Sequence, residues 1–77
     1  MEKNLNEMSV LEKGIVKKIA GDGKIKRRLY DMGITPGTSI VVKKLAPLGD
    51  PIEITIRGYE LTIRKSEAEN IVMEVNG

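Results

Sequence analysis

The residues best equipped for chemistry in this chain are cations. Lys24, Lys26, Arg27 and Arg28 crowd one short stretch, with Lys17 and Lys18 before it and Lys43 and Lys44 after it. Guanidinium groups bind carboxylates and phosphates through two parallel hydrogen bonds, so Arg27 and Arg28 have more to offer an acidic partner than the lysines do. The plain alternative is a solvated helix face, because Asp31 stands three and four residues after Arg28 and Arg27, where it can pair with them. Two tyrosines, Tyr30 and Tyr59, are the only aromatics, and tyrosine is enriched where proteins bind one another. Leu48 sits in a polar-flanked loop, Pro47-Leu48-Gly49, with no obvious core neighbour. Together Lys24, Arg27, Arg28, Tyr30, Leu48 and Tyr59 form the candidate partner-binding set. No catalytic set can be assembled.

That last conclusion follows from what is missing. The 77 residues contain no His and no Cys, which removes the usual general base near neutral pH, the thiolate nucleophile and the commonest transition-metal ligands. Asp50, Glu53, Glu60, Glu67 and Glu69 are spread over loops, strands and a cap, so no metal site and no cofactor is expected. The fragment Gly21-Asp22-Gly23-Lys24 looks superficially like a phosphate loop, but Ile25 follows the lysine where Ser or Thr is needed, and a helix cap is the better reading. Thirteen Lys and Arg against eleven Asp and Glu give a net charge of only +2, and two tyrosines make a poor stacking platform for bases, so no nucleic-acid partner is expected. Apolar runs reach three residues, as in Ile40-Val41-Val42, far short of the roughly 20 that span a bilayer. A cytoplasmic protein that is not membrane-embedded is expected.

The elements that must position these residues can be read in order. Residues 1–7 have little to bury and are expected to form a flexible tail, followed by a single domain over residues 8–75. Gly14 to Ala20 is short and β-branched, with neither face wholly apolar, which suggests a strand with a bulge. Asp22 caps a helix from about Gly23 to Met32, where Ile25, Leu29 and Met32 make one apolar stripe. Gly33 ends it, and Thr35-Pro36-Gly37-Thr38 fits a type II turn with Gly37 at the position needing positive φ. A strand from Thr38 to about Ala46 follows, and Pro47 to Pro51 breaks it.

Ile52 to Arg64 alternates as a β-hairpin. With Gly58 first in a two-residue II′ loop, Arg57 would pair with Glu60, Ile56 with Leu61, Thr55 with Thr62 and Ile54 with Ile63. Ser66 and Glu69 then fit a capping box for a helical turn, and Ile71 to Val75 a closing strand. Five short strands, one helix between the first two and a helical turn before the last predict a mainly β protein, a small barrel that leaves few exposed edges.

Three stretches carry a family resemblance: Arg28-Leu29-Tyr30-Asp31-Met32-Gly33-Ile34-Thr35-Pro36-Gly37, then Gly49-Asp50-Pro51-Ile52-Glu53-Ile54, then Leu61 to Ile71. In these the chain resembles the FeoA family of bacterial ferrous iron uptake, over roughly Leu11 to Glu74. The resemblance implies an SH3-like five-stranded barrel that assists the ferrous-iron permease FeoB, acting at its cytosolic GTP-binding domain by protein contact. Weak self-association is allowed for. The same module resembles the carboxyl-terminal domain of iron-dependent repressors, which leaves a nucleic-acid-associated or ligand-sensing barrel as the alternative. Family members are associated with transition metals, whereas the absence of His argues against such a site here. Asp22, Gly33, Pro36, Gly37, Pro51, Gly58 and Ser66 are assigned to turns and caps.

Overall fold

The computed structural model describes residues 1–76. Six strands form one antiparallel sheet: β1 (Glu2–Asn4), β2 (Lys13–Ile19), β3 (Ser39–Leu45), β4 (Ile52–Ile56), β5 (Tyr59–Ile63) and β6 (Ile71–Val75). Their order across the sheet is β1-β6-β2-β3-β4-β5. A 3-10 turn (Leu5–Glu7) follows β1, helix α1 (Gly23–Asp31) lies between β2 and β3, and a one-turn helix α2 (Lys65–Ala68) precedes β6. The mainly β architecture is the expected one, with one strand more.

The extra strand is a correction to the expected loose tail. Glu2 to Asn4 pair with Glu74 to Val72, and Leu5 is fully buried. One large apolar side chain at the end of a three-residue strand is enough to anchor it, because burying a leucine contributes about 2 kcal/mol. Exposed ion pairs from Lys17 to Glu2 and from the Met1 amino group to Glu74 line the same edge.

Bulges reconcile two awkward sequences with a one-sided core. In β2 the register with β6 shifts between Val16 and Lys18, so Val16 and Ile19 both point inward while Lys17 and Lys18 face solvent. In β3 the shift falls between Val42 and Lys44, and Ile40 and Val42 are buried ahead of two exposed lysines. An extra residue on one strand flips the alternation after it. Ile52, Ile54 and Ile56 of β4, Ile63 of β5, and Ile71 and Met73 of β6 complete the core with Leu29 of α1.

The hairpin differs from expectation. Its loop is Arg57-Gly58, both at positive φ (50° and 83°), and Ile56 pairs with Tyr59, Thr55 with Glu60, Ile54 with Leu61 and Glu53 with Thr62. This is the left-handed pair of a type I′ turn, whose twist matches the flanking strands. Gly58 therefore stands second in the loop. The register moves by two residues, which keeps every side chain on its face, so alternation alone could not have distinguished the two pairings. Ser66 is corrected too: the cap lies two residues earlier, with Arg64 in the cap position and its amide donating to Glu67 Oε1 at 2.9 Å. Ser66 instead offers its carbonyl to Asn70 Nδ2.

Candidate docking surface

Helix α1 is fixed at both ends by its own sequence. Asp22 Oδ1 accepts the Ile25 amide at 2.9 Å, satisfying one of the orphan donors at the helix start. At the other end Gly33 (φ 88°) lets the chain turn back: its amide reaches the Tyr30 carbonyl, and the Ile34 amide reaches the Leu29 carbonyl. Leu29 and Ile34 are both fully buried, which supplies the apolar contact that accompanies this double-bonded ending. With Leu29 facing the core, the cations of α1 are held on the outside.

Their partners were only partly legible. Arg28 Nε lies 2.6 Å from Glu67 Oε2 on α2, with that carboxylate largely shielded. The expected pairing of Arg27 and Arg28 with Asp31 does not form among the described residues, and Lys24 and Arg27 have no ion-pair partner there. Lys24, Arg27 and Asp31 rim a shallow groove of about 610 Å³ whose floor is Ile25 and Met32. An apolar floor with unpaired cations at the rim suits an amphipathic acidic surface.

The two tyrosines play different parts. Tyr30 is half exposed on α1, whereas Tyr59 donates its hydroxyl to the Met32 carbonyl at 2.9 Å, closing one of the free carbonyls at the helix end. A Cβ on Gly33 would come within 2.8 Å of that hydroxyl. Beside it, Arg57 Nη2 reaches Thr38 Oγ1 at 3.1 Å and Thr35 Oγ1 at 3.3 Å, so the hairpin tip is bolted to the Thr35-Pro36-Gly37-Thr38 turn, where the Thr38 amide returns to the Thr35 carbonyl. The Arg57 contact had no local signal, since nothing in the sequence near Arg57 announces two hydroxyls about 20 residues earlier.

Leu48 lies apart from this cluster. It is 91% exposed at the tip of a tied loop: the Gly49 amide returns to the Ala46 carbonyl at 2.7 Å, Ala46 donates to the Pro51 carbonyl, and Asp50 Oδ1 accepts the Lys65 amide. A hollow of about 410 Å³ lies between α1 and the end of this loop, bounded by Arg28 and Glu67 on one side and Asp50 and Pro51 on the other, and Leu48 is not part of its wall. Four of the six candidate residues thus share α1, Tyr59 joins them through Met32, and Leu48 stands apart from both. No group of three acidic residues is placed to hold a metal ion among the described residues.

The displaced acidities lie at the opposite edge of the sheet. Hydrogen bonding to Lys17 lowers the Glu2 carboxyl from its ordinary 4.5 and raises the Lys17 ammonium above 10.5. The Ser9 amide does the same for Glu12, lowering it.

Comparison with known proteins adds identity to geometry. The model of the FeoA domain family matches residues 3–75. A Porphyromonas gingivalis protein, a fusion of Fe(2+) transport protein A with the Fe(2+) transporter FeoB, is 30% identical over 71 residues, covering 92% of this chain and 8% of its own length. The chain therefore spans a small fraction of that relative. A FeoA-like protein from Clostridium acetobutylicum is 44% identical with a TM-score of 0.90, over 96% of this chain and 86% of that one. A zinc-complexed FeoA of Stenotrophomonas maltophilia, described as a prokaryotic SH3 domain protein, shares the fold at 22% identity and a TM-score of 0.81, over 94% and 89% of the two chains. A manganese-dependent transcriptional repressor also shares the fold, at 18% identity and a TM-score of 0.90, over 97% of this chain and 37% of its own.

Proposed function

The chain belongs to the FeoA domain family, associated with ferrous iron transport, and on that footing we propose that it acts as an accessory to the FeoB transporter by direct contact. The carrying observation is the natural fusion: a relative joins a domain of this kind to FeoB in one polypeptide, which holds the two at high effective concentration without any new contact. No helix of the described residues is long and apolar enough to cross a membrane; in this reading the transporter supplies the membrane part and this chain meets its cytosolic GTP-binding domain. The basic groove of α1 is the surface we assign to that meeting, with Lys24 and Arg27 free to receive carboxylates. Iron is the cargo of the partner, and this chain does no chemistry on it.

Docking can regulate only if it favours one state of the partner over another. Titrating isotope-labelled protein with the GTP-binding domain, first with GDP and then with a non-hydrolysable GTP analogue, tests this. Amide shifts along α1 in one nucleotide state and weaker ones in the other are expected. Absence of shifts in both states at millimolar partner would overturn the reading. The trans-arginine version, in which Arg27 enters the GTP site, predicts loss of GTPase stimulation in Arg27→Ala with binding retained; Arg28 is the poorer candidate because Glu67 already holds it.

A further inference from the structure

Strand β5 ends the sheet, with β4 on one side and no strand on the other. Around a two-residue turn the pairs Ile56 with Tyr59, Ile54 with Leu61 and Ile52 with Ile63 are the hydrogen-bonded ones. Glu60 and Thr62 therefore turn their amides and carbonyls away from β4, and neither takes part in any other backbone hydrogen bond among the described residues. Long unpaired edges are normally kept short, charged over or covered. Here the edge is left open beside two concavities.

One concavity is the hollow of about 410 Å³ between α1 and the Asp50-Pro51 loop, whose wall includes Thr62 and Arg64. The other, of about 380 Å³, lies over the sheet face inward of Thr62, against Lys44, Leu45, Pro47 and Glu53. Thr62 and Pro51 belong to both, and Arg28 joins the first to the groove of α1. A furrow thus runs from the groove of α1 past Arg28 to the open edge at Thr62 and Arg64. Its charge is biased: Arg28 is neutralised by Glu67, Glu60 by Lys43, and Asp50 is engaged by the Lys65 amide, leaving Lys24, Arg27 and Arg64 without ion-pair partners among the described residues, against Asp31.

We propose that β5 accepts an extended, acidic peptide segment of a partner protein as an added strand, hydrogen-bonded to Glu60 and Thr62. Strand addition takes its affinity from the main chain and its selectivity from alternate side chains dropping into flanking hollows, and the furrow supplies both halves. Acidic side chains meet Arg64, and apolar ones meet Pro51 in the hollow beside it. The inference rests on the docking reading only for which protein carries the segment, and it stands or falls by a probe that is not that protein.

The probe is an eight-residue peptide of alternating Glu and Val, blocked at both ends, titrated into the isotope-labelled full chain. Shifts at the Glu60 and Thr62 amides with slowed exchange of both are expected, and a Lys-for-Glu peptide should bind at least about tenfold more weakly. Thr62→Pro removes one edge donor at a site where proline does not break the ladder and should weaken binding roughly tenfold. Arg64→Glu, an exposed change, should weaken it severalfold should the proline variant fold poorly. Equal binding of the two peptides, shifts confined to α1, or no binding at millimolar peptide would each overturn the inference. Edge shifts that grow on concentrating the protein alone would overturn it in favour of a second copy. None of these outcomes touches the titration with the GTP-binding domain.

Discussion

The two edges of the sheet are built on opposite plans. At one end β1 is three residues long, ion-paired through Glu2 to Lys17 and from the Met1 amino group to Glu74, and followed at once by the buried Leu5. At the other end β5 is five residues long, lies along a furrow and carries unpaired backbone groups at Glu60 and Thr62. The chain closes the first edge with its own residues and leaves the second for something else. Edge protection is the default in soluble proteins, so the unprotected side is where recognition should be sought.

The largest effect should come from undoing the closed edge. Leu5→Ala leaves a cavity under β1, and losses of about 2–5 kcal/mol attend such truncations. Chemical denaturation should register a fall of that size, with Glu2 to Asn4 losing exchange protection first. A loss below about 1 kcal/mol would show that β1 adds little and that the contrast between the edges is only apparent.

Next in size is the bolt that holds the hairpin tip. Tyr59→Phe removes the hydroxyl from the Met32 carbonyl and should cost about 0.5–1.5 kcal/mol. Gly33→Ala sharpens the same point, since it combines a positive φ with a Cβ placed 2.8 Å from that hydroxyl; in the Tyr59→Phe background its penalty should shrink, and the double-mutant cycle measures by how much. If Tyr59→Phe is neutral, Tyr59 belongs to the open surface and not to the scaffold.

These two regions also divide what could be read from the sequence. Asp22, Leu29, Gly33 and the Pro36-Gly37 turn announce themselves because capping, stripe and turn chemistry are local. Leu5 did not, because one apolar residue in seven is too little periodicity to signal a strand. The hairpin pairing slipped by two because period-two alternation repeats after two residues, and only the turn type, set by Arg57 and Gly58 together, fixes it. Arg28 was placed on an exposed face correctly but matched with Asp31, one turn away, when its partner Glu67 comes from a different element. The open edge of β5 is a property of topology, invisible until the strand order is known.

Acid should loosen the closed edge gently. The carboxyls of Glu2 and Glu12 are lowered from 4.5, so what they contribute is present above that value and is lost as pH falls through their lower folded values. For Lys17, raised above 10.5, the sense reverses: its contribution is present below 10.5 and is lost as pH rises beyond it. Amide exchange of Glu2 to Asn4 should therefore accelerate relative to β4 as pH falls below 4.5 and again as it rises above 10.5, with no matching change at β5. Glu2 and Lys17 are exposed, so the effect is small and should fade with added salt.

The smallest effect on stability should come from the most conspicuous side chain. Leu48 is 91% exposed, while the loop beneath it is tied by Gly49 to Ala46, by Ala46 to Pro51 and by Asp50 to Lys65. Leu48→Glu removes no packing and breaks none of those bonds, so its melting temperature should match the parent within about 1 °C. Its consequence belongs to binding: a rigid loop presents an exposed leucine at little entropic cost to the partner, and an acidic residue there would repel an acidic partner surface. Reduced affinity for the GTP-binding domain with unchanged melting would place Leu48 on the open side of the molecule. A fall of several degrees would instead show that Leu48 folds onto the barrel, and the open surface would then end at Pro47 and Pro51.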